Sequence, residues 1–108
     1  MTNTLKLGEI FVCSFPFTSG QFSKPRPVLV LFDVGEDCLI CRITSASHSG
    51  DLDIPLSHWK EAGLEKPSVA RLTRLTTVEK TLLKLRIGNL APPDLDTVKQ
   101  AWNQHMKL

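Results

Sequence analysis

Residues 24–45, KPRPVLVLFDVGEDCLICRITS, predict the centre of the fold. Residues 28–32 form an uninterrupted apolar run, which is typical of a strand buried on both faces. Residues 33–37 have the acidic and glycine residues of a tight turn, so residues 38–43 return as the second strand of an antiparallel hairpin. The start of the first strand then lies beside the end of the second. The hairpin therefore predicts that Arg26 and Thr44 are close in space.

Arg26 and Thr44 suggest chemistry as well as position. Arg26 stands between Pro25 and Pro27, which restrict the backbone on both sides of it. A guanidinium and a hydroxyl at one end of a sheet suit the binding of a phosphate. The same residues also fit an ordinary surface ion pair and a polar turn, and the residues alone leave both interpretations open.

The rest of the chain predicts a mainly β fold. Residues 8–15 and 84–88 are expected to be strands, residues 52–56 a short edge strand because Pro55 lacks an N–H, and residues 69–72 and 73–78 two further extended segments. With the hairpin this gives about seven short strands, as in a small SH3-like antiparallel barrel. Pro92 opens a C-terminal helix whose apolar residues recur at intervals of three and four, so that face is expected to pack on the sheet.

Composition excludes several classes of protein. The chain has 108 residues, 42% hydrophobic and 22% charged, with a net charge of +2. This profile fits one globular domain over residues 1–108, with neither a membrane span nor an export signal, and predicts a cytoplasmic protein. Cys13, Cys38 and Cys41 are expected to be reduced thiols. Because the Cys38–Cys41 spacing is odd, the two side chains of a strand point to opposite faces, which favours packed cysteines over a metal site.

Positive charge is concentrated in the second half of the chain. Residues 71–86 carry five Lys or Arg residues and one acidic residue, Glu79. Such a strip suits a polyanion or an acidic partner, and it equally suits a solvated face.

Several short motifs, in order, resemble the PemK/MazF-like growth-inhibitor toxins of bacterial toxin–antitoxin modules. The resemblance covers about residues 7–100, and its most specific part is the strand RPVLVL at 26–31. The other parts are GEIF at 8–11, FPFT at 15–18, ITS at 43–45, PSVARL at 67–72 and LTTVEK at 75–80.

The resemblance implies a homodimeric endoribonuclease that needs no metal or cofactor and is neutralised by a cognate antitoxin. Such an enzyme cuts single-stranded mRNA selectively at short sequence motifs by attack of the ribose 2′-OH, leaving a 2′,3′-cyclic phosphate and a 5′-OH. Arg26 and Thr44 fall on the catalytic positions, and residues 16–25 on the loop over the RNA. The residues expected to bind RNA are Phe17, Ser19, Gln21, Lys24, Ser45 and Arg71.

The general base is not evident from the motifs. Residues 16–25 contain no histidine and residues 70–78 no acid, although some relatives carry a functional residue there. His48, just beyond Thr44, is the candidate acid–base, against the simpler interpretation of a solvated loop histidine.

Two functions of other classes stay open. One is a toxin of the same barrel fold that binds a protein such as gyrase, with Trp102 and Met106 as exposed anchors. The other is an inactive barrel that binds nucleic acid without cutting it. Replacement of Arg26 by Ala distinguishes the first from a nuclease, and RNA binding without cut products identifies the second.

Overall fold

The computed structural model describes residues 4–14 and 24–108. Its elements follow the predicted order, with six strands, one turn of 3-10 helix and one α-helix. They are β1 (Glu9–Ser14), β2 (Pro25–Val34), β3 (Asp37–Thr44), β4 (Asp53–Leu56), β5 (Ser68–Glu79), the 3-10 turn (Lys80–Leu82), β6 (Leu83–Asn89) and α1 (Pro92–His105).

The strands form one antiparallel sheet in the order β4-β5-β3-β2-β1-β6. The mainly β prediction and the C-terminal helix are confirmed. The expected seven strands are six, and the sheet is open, with β4 and β6 at its edges. Pro55 in β4 has no N–H to donate to a further strand, which suits an edge position.

The strand count differs because residues 69–78 form one strand with a bulge. The adjacent residues Cys41 and Arg42 of β3 pair with Leu75 and Arg71 of β5. Strand β5 therefore has three extra residues, 72–74, between these two pairing positions. Within this bulge Leu72 is fully buried, whereas Thr73 and Arg74 are exposed. The bulge breaks the alternation, so the sequence pattern resembles two short strands.

Each face of the sheet carries its own apolar cluster. The larger cluster includes Leu29, Cys41 and Leu72, and Ile54 of β4 belongs to it while Ile87 of β6 packs against it. Both edges of the sheet thus curl around one core. The smaller cluster includes Val28, Val30 and Cys38 on the opposite face. Cys38 and Cys41 therefore lie in different clusters, as their spacing predicted.

Helix α1 closes the larger cluster. Val98 is buried, and Leu95 and Trp102 pack against the same core, which confirms the predicted apolar face. The Trp102 ring also meets the Phe32 ring edge-on, with centroids 5.5 Å apart. Among the described residues, no helix is both long and apolar enough to cross a bilayer.

A buried carboxylate joins the helix to the loop after β4. Asp94, in the first turn of α1, is 3% exposed and accepts hydrogen bonds from the backbone N–H groups of Ser57 and His58, at 3.1 and 2.8 Å. Residues 57–63 form consecutive turns that end at Gly63, whose φ is +94°. The loop after β4 is therefore held directly on the helix start.

Candidate active site

A large cleft lies where β2 begins and β3 ends. Its volume is about 840 Å³, and both Arg26 and Thr44 line it. Val28 pairs with Arg42 across the hairpin, so the same register two residues further on sets Arg26 opposite Thr44. The predicted proximity of the two residues is confirmed by this shared lining.

Arg26 enters the cleft without a carboxylate partner. It is half-buried in β2, and no ion pair of Arg26 occurs within residues 4–14 and 24–108. The remaining residues, 1–3 and 15–23, contain no Asp or Glu that could supply one. A guanidinium is always protonated, so this cleft holds a cation available to an anion from outside the chain.

Thr44 presents an oriented hydroxyl. Its Oγ1 accepts a hydrogen bond from the backbone N–H of Ala46 at 3.2 Å. Because that bond uses an acceptor site of the oxygen, the hydroxyl hydrogen can donate to a ligand. Arg26 and Thr44 together thus offer donors to a phosphate.

The wall opposite β2 and β3 comes from residues 63–66 and from β6. Glu65 is the one acidic side chain, and no histidine joins it, among the described residues that line the cleft. Residues 1–3 and 15–23 add neither acid nor histidine. Glu65 is exposed, and the segment that carries it follows the turns that Asp94 anchors. The sequence analysis missed this residue because no motif connects it with Thr44.

Two of the residues expected to bind RNA also line the cleft. Lys24 and Ser45 lie there, both exposed. Phe17, Ser19 and Gln21 fall outside the described residues.

Arg71 and His48 lie elsewhere. Arg71 donates from Nε to Oδ1 of Asp53 at 2.9 Å, in a largely buried ion pair, and it does not line the cleft. Burial would raise the pKa of Asp53, but the Arg71 hydrogen bond, the N–H of Gly50 and the nearby charges of Arg71 and His48 together lower it. His48 therefore lies near Asp53, and it does not line the cleft.

Most of the predicted basic strip is paired within the protein. Lys80 contacts Asp33 at 2.7 Å, and Arg86 contacts Glu9 at 3.4 Å. Lys84 donates to the carbonyl oxygen of Thr81. Arg74 makes no ion pair with any described residue.

A cluster of arginines adjoins the cleft instead. Arg42 and Arg71 are direct cross-strand partners, and burial together with the charges of Arg26, Arg71 and Arg74 lowers the pKa of Arg42. We call these four residues the arginine cluster. The sequence analysis missed Arg42, although its position two residues before Thr44 in one strand puts both side chains on one face.

The cysteines lack the environment of reactive thiols. All three are free and buried. Burial raises the pKa of Cys38 to about 11 and that of Cys41 to about 12, so both thiols stay protonated near neutral pH. No group of three potential metal ligands occurs among the described residues.

The fold and the cleft together define a small β-sheet protein whose cleft is lined by a threonine and by an arginine that forms no ion pair with a described residue. The sequence model of the PemK-like, MazF-like toxins of type II toxin–antitoxin systems matches residues 6–106. The chain belongs to this family. No curated protein matches it in sequence.

Solved structures share the fold at low sequence identity. The Mycobacterium tuberculosis toxin MazF-mt6 matches with a TM-score of 0.74 at 22% identity, over 93% of this chain and 97% of that one. MazF from Deinococcus radiodurans matches with a TM-score of 0.74 at 16% identity, over 98% and 99%. A mycobacterial endoribonuclease in complex with its cognate antitoxin matches with a TM-score of 0.73 at 14% identity, over 93% and 92%.

Proposed function

We propose that this protein is the toxin of a toxin–antitoxin module and cleaves single-stranded mRNA by attack of a ribose 2′-OH on the adjacent phosphorus. The observation that carries the proposal is that Arg26 and Thr44 line one cleft and that no described carboxylate forms an ion pair with Arg26. Family membership supports the toxin class, and one neighbour with this fold is described as an endoribonuclease.

Each group in the cleft has a distinct role in this reaction. Attack forms the O2′–P bond and breaks the P–O5′ bond, giving a 2′,3′-cyclic phosphate and a 5′-OH. Arg26 stabilises the charge that develops on the phosphorane oxygens, and Thr44 donates to one of them. Arg26 cannot be the base, because a guanidinium keeps its proton and has no acceptor for another. A cofactor or metal has no step in this scheme.

Glu65 is the proton acceptor in this proposal. A base for the 2′-OH must be a group that can take a proton near neutral pH. Glu65 is the one carboxylate among the described residues that line the cleft, and no histidine lines it. Residues 1–3 and 15–23 contain no Asp, Glu or His either. The proton moves from O2′ to Glu65, and the departing 5′-oxygen takes a proton from water.

The partners follow from the same surface. We propose a cognate antitoxin with an acidic segment that covers the cationic cleft, since a neighbour with this fold is described in complex with its antitoxin. We also propose a homodimer acting in the cytoplasm, where mRNA is found. Co-purification with the product of an adjacent acidic open reading frame, and light scattering, test these two points.

Cleavage of a long single-stranded RNA in EDTA tests the activity. Arg26→Ala is expected to lower the rate by about 10²–10³-fold, the usual loss on removing one transition-state donor. Thr44→Val should also lower it, and Thr44→Ser should keep much of it. Lys99→Ala, an exposed change on α1, is the control for charge. Intact RNA with the wild-type protein would contradict the proposal.

A matched pair of variants tests the base. Glu65→Gln is expected to lower the rate by about 10²–10⁴-fold, the usual loss on removing a general base. Glu61→Gln changes an exposed glutamate of the preceding turns and should leave the rate unchanged. A Glu65→Gln variant that cuts at the wild-type rate would show that another group takes the proton.

A further inference from the structure

The arginine cluster extends from the cleft across one face of the sheet. Val28 pairs with Arg42, and Arg42 pairs with Arg71. Arg26 is two residues from Val28 along β2, so side-chain alternation puts Arg26 and Arg42 on the same face. Arg74, in the bulge of β5, is exposed, and its charge is among those that lower the pKa of Arg42.

Arg42 has an unsatisfied donor within this cluster. Its Nε is buried from solvent and has no hydrogen-bond partner among the described residues. Buried polar groups are almost always paired, so an unpaired guanidinium N–H needs an explanation. No Asp or Glu forms an ion pair with Arg26, Arg42 or Arg74 in the described structure, and residues 1–3 and 15–23 contain none.

One member of the cluster is already neutralised. Asp53 pairs with Arg71, so Arg26, Arg42 and Arg74 are the members of the cluster that form no ion pair with a described residue. Like charges held together in this way destabilise the protein unless an anion from outside the chain completes the site. An arginine fork matches the oxygens of a phosphate well.

Resting on the proposed function, we infer that Arg42 and Arg74 bind the phosphate next to the one that is cut, on the same RNA strand. Two residues along a strand span about 6.7 Å, so Arg42 lies about that far from Thr44. In the proposed complex Thr44 contacts the reacting phosphate, so Arg42 lies at a similar distance from that phosphate. That distance is similar to the separation of successive phosphates in an extended single strand. Continuity with the cleft at Arg26 favours an RNA backbone over a separate acidic ligand.

Binding of an RNA that cannot be cut separates this inference from catalysis. The probe is a fluorescein-labelled 2′-O-methyl RNA of mixed sequence, followed by anisotropy over a range of salt concentrations. Arg42→Gln and Arg74→Gln should each weaken binding by about tenfold at low salt, as expected for one charge-assisted contact. Each should also reduce the slope of log K against log salt by about 0.7, the value for one phosphate on a single strand.

The controls keep the test independent of folding and of the proposed function. Lys99→Gln removes one exposed charge of α1 and should keep the wild-type affinity and slope. Arg74 is exposed, so its replacement tests the site even where Arg42→Gln perturbs the sheet. A wild-type protein that binds this RNA but cuts no unmodified RNA would refute the proposed cleavage, while the two arginine variants would still show whether Arg42 and Arg74 contact an RNA phosphate.

Two other results would overturn the inference. Wild-type affinity and salt slope in both arginine variants would show that no phosphate contacts them, as would a failure of the wild-type protein to bind the probe. Loss of binding to a polyglutamate peptide, with RNA binding unchanged, would assign the cluster to an acidic protein partner.

Discussion

Asp94 is expected to be the most sensitive polar position in the fold. Its carboxylate is 3% exposed and accepts backbone N–H groups of Ser57 and His58. Hydrogen bonds to a charged group contribute about 1.5–3 kcal/mol each. Because both share one carboxylate, we expect Asp94→Ala to lower the free energy of unfolding by about 3 kcal/mol, a large fraction of the 5–15 kcal/mol typical of a domain.

Asp96 provides the matched control for Asp94. It lies two residues further along α1 and is exposed, so Asp96→Ala removes a carboxylate near the helix N-terminus, a loss of at most about 0.3–1 kcal/mol, and no buried bond. Equilibrium unfolding in urea should show a midpoint lower by about 1–2 M for Asp94→Ala. Equal midpoints for the two variants would refute the reasoning. The Asp94 variant should also lose RNA cleavage, because the anchored turns lead into the wall that carries Glu65.

Three further outcomes test the fold. Gly63→Ala should destabilise the protein more than Gly35→Ala in urea titrations. Both glycines have a positive φ, but a Cβ at Gly63 would lie 2.7 Å from a carbonyl oxygen of β6, whereas a Cβ at Gly35 would meet open space. Equal losses of stability in the two variants would contradict this. Cys41, with its raised pKa of about 12, should resist iodoacetamide in the native protein at neutral pH and react only in denaturant, as mass spectrometry would show. The Lys80 hydrogen bond holds the pKa of Asp33 below its ordinary value. The ionised Asp33 therefore stabilises the folded protein at pH values above the ordinary carboxyl pKa, and this stabilisation is lost as the pH falls through the lowered pKa of Asp33. Asp33→Asn should flatten that acid loss in circular-dichroism titrations, and an unchanged acid limb would count against the pairing.

The local pattern of the chain was enough to predict the hairpin and the helix. Strands β2 and β3 follow from an uninterrupted apolar run, a polar turn and a returning apolar segment. Their antiparallel pairing is enough to bring Arg26 close to Thr44. The strand count was wrong for a physical reason. Leu72 turns into the core while Arg74 stays exposed, so the bulge in β5 hides the continuity of one strand.

The rest of the site depends on contacts between distant parts of the chain. That Arg71 binds RNA stays a prediction, and nothing in its local sequence indicates that its Nε donates to Asp53 on the neighbouring edge strand. Glu65 reaches the cleft only because the loop after β4 is anchored to a helix more than thirty residues away in sequence. A single sequence contains no local signal for either arrangement, whereas the shared face of Arg42 and Thr44 was accessible from alternation.

The dependence of cleavage on one ribose hydroxyl tests the central proposal most directly. Once a cut position has been mapped in a single-stranded RNA, the same RNA is made with 2′-deoxyribose on the 5′ side of that bond alone. We expect this substitution to abolish the cut at that position, and we expect the unmodified RNA to yield a 2′,3′-cyclic phosphate and a 5′-OH that Arg26→Ala fails to produce. Cleavage of the deoxy-substituted bond at the normal rate would contradict attack by the 2′-OH, and with it the roles given to Arg26, Thr44 and Glu65.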